Sequence, residues 1–234
     1  MSTPLYLHEE VMLLSLRDEK GTIEWGAGMY QHVLAGAILA ELFLAERISI
    51  GDSKKHIVDV VSTARLDNKS LTNSVLDDAL LKMSDSKRPK PLQHWVQKIA
   101  SMKKLKERVA DGLCYRGILK EEEALILGLF KTKRFPEKNP EPERQLIERL
   151  EKVIFLNEEE VDVRTAILIS LTWQSEILKI PFPAKKLRQQ KLRLEQIVNG
   201  ELIGQATAEV IQAIQMIMVM AAVMPAMTAA TVSN

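Results

Sequence analysis

His8, Glu9 and Glu10 stand side by side near the start of the chain, and a histidine beside two carboxylates is the raw material of a zinc hydrolase. That chemistry needs a second histidine one helical turn later, so that both imidazoles reach one metal, and the sequence lacks it. His32, His56 and His94 are scattered, with no cysteine or carboxylate at ligand spacing, and read as surface or ordinary core residues. Cys114 lies on an apolar helical stretch and reads as a buried, inert thiol. As the single cysteine it cannot form a disulfide within the chain, which is consistent with a reducing compartment. Gly26, Gly28 and Gly36 lack the Lys-Ser/Thr or strand–turn–helix setting of a phosphate-cradling loop. No catalytic constellation, metal site or cofactor site emerges, and the chain reads as a binder rather than an enzyme.

Charge is the more informative chemistry. Formal net charge is +1, so an anionic partner must be met by a local patch. The stretch from Lys82 to Arg108 holds nine cations, Lys103 and Lys106 among them, against Asp85 and Glu107. A second cluster runs through Lys185, Lys186, Arg188, Lys191 and Arg193, and acidic runs at 121–123 and 158–162 restore neutrality. A neutral protein with a basic face suits docking on a membrane surface or on nucleic acid. The alternative is a solvated helix face with i,i+4 pairs such as Lys103 with Glu107.

The elements that must position these residues are mostly helical. Leu, Ile, Ala and Met carry the apolar content, aromatics are 5%, and 46% hydrophobic with 27% charged residues argues against wholesale disorder. The 234 residues are read as one domain, 1–234. Apolar periodicity gives a helix over 5–16 and a helix buried on most sides through Val33, Leu34, Ala37, Ile38, Leu42 and Ala45. Residues 47–50 and 56–61 then read as a hairpin. Further helices are expected at 72–83, 92–115, 143–155 and 162–178, with a loop at 84–91 and a basic helix at 184–200. Residues 117–135 read as two strands around an acidic turn, so the order helix, turn, hairpin appears twice. The apolar run 216–230 is short of the roughly 20 residues a spanning helix needs, and Pro225 breaks it. It reads as a buried core helix, with membrane contact as the alternative. No signal peptide is apparent at 1–10. The expected fold is mainly α: a single-domain helical bundle around a central apolar helix, with peripheral β-hairpins.

Several blocks carry a family resemblance. "LYLHEEVMLLSLRDEKGTIEW" resembles the opening of the Golgi phosphoprotein 3 family, a Leu-x-Leu-x-Glu-Glu-Val stretch running through a charged-Gly turn to a tryptophan. "LAGAILAELFLAERISI", "LDDALLKM", "WVQKI" and "KERVADGLCYRGIL" resemble later blocks in the same order, and the short termini suit a prokaryotic-type member. The resemblance implies a largely helical peripheral membrane protein on the cytosolic face. Its eukaryotic members bind phosphatidylinositol 4-phosphate and act as adaptors for membrane-protein clients.

The family's lipid pocket takes a tryptophan and arginines from two separated segments. Matched here, the tryptophan is Trp25 and the two arginines of the later helix are Lys103 and Lys106. The arginine near the first Gly-containing helix is replaced by Ala35. Lys103 and Lys106 are expected i,i+3 on one helix face, within reach of one phosphate, with the Trp25 indole at the interface. The family's membrane-inserting or oligomerising hairpin falls at about 124–136, where Leu125, Ile126, Leu127, Leu129 and Phe130 are apolar. The partners implied are an anionic phospholipid membrane, membrane-protein clients and a homo-oligomer. Two readings compete: a winged-helix-like nucleic-acid binder, disfavoured by the apolar hairpin tip, and a protein-interaction module, which that tip suits as well as lipid.

Overall fold

A helix with almost no polar face has to sit where no face meets water, and α2 (Ala27–Leu44) does so. Every residue from 33 to 42 is buried, Glu41 included. The computed structural model describes residues 4–16, 27–51, 54–64, 74–126, 130–156, 158–204 and 208–231. Around α2 pack α1 (Leu7–Ser15), α3 (Ser74–Ser84), α4 (Leu92–Ala100), α7 (Val163–Gln174) and α10 (Ala208–Thr231). This is the helical bundle around a central apolar helix that periodicity leads one to expect. Close approach of α10 to α2 depends on Gly36: a Cβ built there would lie 2.6 Å from the Ala221 Cβ and 3.1 Å from Leu171 Cδ2.

Two small sheets lie outside the bundle. β1 (Ile48–Ile50) pairs antiparallel with β2 (Ile57–Val60), as expected, and β2 also pairs with β3 (Lys90–Pro91) inside the stretch read as a loop. A proline is tolerated there because β3 is an edge strand. β4 (Glu122–Ile126) and β5 (Phe130–Arg134) form the second hairpin, directly after α5 (Leu105–Tyr115). α2–β1–β2 and α5–β4–β5 thus reproduce the expected repeated order. The chain closes with α6 (Glu141–Phe155), α7, a 3-10 turn at Ile177–Lys179, α8 (Ala184–Gln189), α9 (Lys191–Val198) and α10.

Five local expectations are corrected. Residues 92–115 form two helices, α4 and α5, because Lys104 takes a left-handed conformation (φ 55°) at the junction. Residues 184–200 form α8 and α9, parted at Gln190. The helix expected to reach 178 ends at Gln174, and the left-handed Glu176 turns the chain into the 3-10 segment. The second hairpin does not turn at the acidic run, since Glu122 and Glu123 are paired with Arg134 and Lys133 within the β4–β5 ladder. Pro225 lies inside α10 rather than ending it; a proline forfeits one i→i−4 hydrogen bond, and the helix continues at that cost. Ala213, Ile214, Ile217, Met218 and Ala221 of α10 are buried, the core role expected of this segment. Among the described residues, no helix is long and apolar enough to cross a membrane.

Candidate functional site

Three lysines without an ion pair among the described residues gather at the α4–α5 junction, where the site is expected. Ile99, Met102 and Leu105 are buried at threefold spacing and hold the junction against the core. The residues between them are pushed outward: Lys103 and Lys104 are exposed and Lys106, in the first turn of α5, is half-buried. Burial lowers the Lys106 pKa from its ordinary value. None of these three lysines forms an ion pair among the described residues. Arg108, on the same helix, is instead held 2.6 Å from Asp78 of α3. No side chain caps the α5 N-terminus, whose positive dipole end adds to the lysine charge.

Lys103 and Lys106 therefore share one helix start, but not one helix face. Lys103 precedes the left-handed Lys104 and belongs to the connecting turn, so its expected i,i+4 pairing with Glu107 does not form either. Trp25 lies outside the described residues. Ala35 is fully buried on α2, where a guanidinium would be stranded among apolar side chains.

The hairpin rises from the end of α5. Gly117 (φ 72°) turns the chain, and Ile118, Leu119 and Phe135 are buried at its base. Above them β4 and β5 pack chiefly on each other, in register from Glu122 with Arg134 to Ile126 with Phe130. Exposed pairs flank the base, Lys120 with Glu122 at 2.8 Å and Lys133 with Glu121 at 2.9 Å. Leu125, Ile126 and Phe130 lie in the strands, and Leu127 and Leu129 fall outside the described residues.

Cys114 is half-buried rather than buried as expected, and burial pushes its thiol up to about 11.

Sequence reasoning missed a second polar cluster. His8, Glu9 and Glu10, set aside as a metal motif, are buried on α1, as is Glu41 on α2. Arg164 of α7 donates from Nη1 to Glu41 Oε1 at 2.7 Å and from Nη2 to Glu41 Oε2 at 3.0 Å. Glu41 Oε2 also accepts the Leu7 N–H at 2.8 Å. Arg116 donates to Glu9 at 2.6 Å and Arg149 of α6 to Glu10 at 2.8 Å. Arg116 and Arg164 reach further, to the Pro4 and Leu5 carbonyls. Burial outweighs these cations and raises the Glu9 and Glu10 pKa values. The three arginines line a cleft of about 600 Å³ between the 4–6 segment, α1 and α6. Balanced pairing of this kind makes the cluster a clamp on α1, and the signal for it was three polar residues in a row inside an otherwise apolar helix.

The basic residues after α7 are placed on α8 and α9, with Lys185, Lys186, Arg188 and Lys191 exposed.

Comparison with known proteins agrees with this architecture. Residues 7–214 match the family model described as Golgi phosphoprotein 3 (GPP34). The chain is also similar to vacuolar protein sorting-associated protein 74 of Eremothecium gossypii, 28% identical over 137 residues. That match covers 50% of this chain and 40% of the relative, so less than half of the curated relative's length is spanned.

Proposed function

The chain belongs to the Golgi phosphoprotein 3 family, and from that premise we propose that it is a non-enzymatic peripheral adaptor which docks on anionic phospholipid at the α4–α5 junction. The observation that carries this reading is the uncapped α5 N-terminus bearing Lys103, Lys104 and Lys106 without an ion-pair partner among the described residues. Lys103 and Lys106 fall at the family's headgroup-binding positions, and Trp25 would add an interfacial indole. The β4–β5 hairpin follows the same helix, and its apolar Leu125, Ile126 and Phe130 suit insertion into the bilayer or self-association. Such a protein would act at the cytosolic face of a membrane and hold membrane-protein clients there.

Headgroup choice is relaxed in this reading. Ala35 removes one family cation, and lysine offers a point charge where arginine offers a planar fork. Phosphatidylinositol 4-phosphate and other acidic lipids should then compete chiefly by charge.

Co-sedimentation with vesicles of neutral lipid, phosphatidylserine, or phosphatidylinositol 4-phosphate at matched charge tests this. Lys103→Glu/Lys106→Glu should weaken binding by at least about 2 kcal/mol, with each cation near an anionic surface contributing about 1 kcal/mol. Trp25→Ala should weaken it further. Undiminished binding by the double variant would remove the α5 site from the reading, and absence of wild-type binding to all three vesicles would remove the lipid.

A further inference from the structure

α8 and α9 carry a surface that the α5 site does not use. α8 is seated by Leu187 and α9 by Leu194 and Ile197, all buried, and α9 packs on α7. Everything these anchors turn outward is charged or polar with one exception. Lys185, Lys186 and Arg188 are exposed, and none has an ion pair among the described residues. Lys191 meets Glu195 only at 3.5 Å, with both side chains largely in water, a contact that neutralises little. Over 184–198 there are five cations against that single carboxylate.

The exception is Leu192, 78% exposed, the most exposed of the large apolar side chains among the described residues. Its position is fixed by its neighbour. Arg193 turns inward, donating from Nε to the Val153 carbonyl at 2.6 Å and from Nη2 to the Glu158 carbonyl, which ties the start of α9 to the end of α6. Leu192 is thereby held out in water between Lys191 and a pinned arginine. The exposed acidic side chains at 158–160 flank this corner on the α6 side, so the apolar contact belongs to Leu192 rather than to the exposed Leu156 there.

At this corner an exposed leucine is interleaved with unpaired cations among the described residues, the pattern of an interfacial helix. We propose that the α8–α9 corner is a second contact for an anionic lipid bilayer, in which Lys185, Lys186 and Arg188 meet headgroups while Leu192 enters the acyl boundary. This rests on the reading of the chain as a peripheral membrane protein, but not on the α5 site. The two patches come from different parts of the bundle: α5 packs on α1 and α3, whereas α9 packs on α7.

The test is flotation of the full chain with phosphatidylcholine vesicles, with and without phosphatidylserine. Lys185→Ala/Lys186→Ala/Arg188→Ala should weaken binding to the acidic vesicles about a hundredfold, from three surface cations. Leu192→Ser should weaken it about tenfold. In a Leu192→Trp variant, tryptophan emission should shift to the blue on adding acidic vesicles by more than in the wild type; this readout does not depend on the triple variant folding. Loss in the triple variant with Lys103→Glu/Lys106→Glu unaffected would keep this proposal and sink the α5 site. An unaffected triple variant with no added emission shift would overturn it and leave the α5 site standing. No wild-type binding to acidic vesicles would overturn both. Binding to duplex DNA lost in the triple variant, with Leu192→Ser silent on vesicles, would overturn it in favour of a nucleic-acid surface.

Discussion

His8 is the residue whose chemistry changes most between sequence and structure. It is 1% exposed, stacks on Tyr6 with ring centroids 5.6 Å apart, and lies in the field of Arg164 and Arg116. Burial first, then those cations, hold its pKa down at about 3 against 6.5 in the open. The native state therefore keeps His8 neutral while the unfolded chain takes up a proton. His8 contributes fully above pH 6.5, and that contribution is lost progressively as pH falls toward 3. The loss approaches about 5 kcal/mol at the acid end. Glu9 and Glu10 work in the opposite sense, since their raised pKa values favour the native state on acidification and cost stability as pH rises past 4.5. In urea titrations at descending pH, His8→Phe should flatten the decline below pH 6.5; an unchanged slope would mean that His8 is protonated in the native state. The sequence showed His8 beside two carboxylates but not their burial. That depends on Arg116, Arg149 and Arg164, which lie more than a hundred residues away and leave no local pattern.

Among the elements, the contact between α2 and α10 is the most demanding. Gly36→Ala would place a methyl within 2.6 Å of the Ala221 Cβ. Overpacking of about 1–3 kcal/mol should exceed the helix-propensity gain of about 1 kcal/mol from replacing glycine. Thermal melts should show Gly36→Ala less stable than wild type and Gly36→Ala/Ala221→Gly partly recovered. Equal melting of both single and double variants would mean that the helices slide apart without penalty. α2 itself was readable because an apolar run of that length has one solution, burial on all sides. The break between α4 and α5 was not. Ile99, Met102 and Leu105 keep the apolar stripe in phase across it, so periodicity runs straight through the left-handed Lys104. The acidic turn was misplaced for a related reason: charges such as Glu122 and Glu123 sit as comfortably on an exposed strand as in a loop.

At the scale of the whole molecule, the basic residues were visible as a sum and not as a geometry. Composition gave a cationic stretch from 82 to 108, but only the fold separates Arg108, paired with Asp78, from Lys103, Lys104 and Lys106, which have no ion pair among the described residues. The clamp around Glu41 joins the 4–6 segment and α1 to α2, α5, α6 and α7. The arrangement also sets an order of events during synthesis. α2 is made well before α10, yet α10 closes the Ala221 side of its groove. The stretch from α3 through α10 must be made before that side of α2 is covered, and long-range closures of this kind fold slowly and aggregate readily in between. A chain stopped after residue 204 should partition into the insoluble fraction on expression and be recovered by co-expression of 205–234 as a separate peptide. A soluble, cooperatively melting truncation would show instead that α2 is covered without its final neighbour. For the cell making this protein, the vulnerable interval is therefore translation itself, and an early stop codon would leave a sticky helix rather than a smaller working domain.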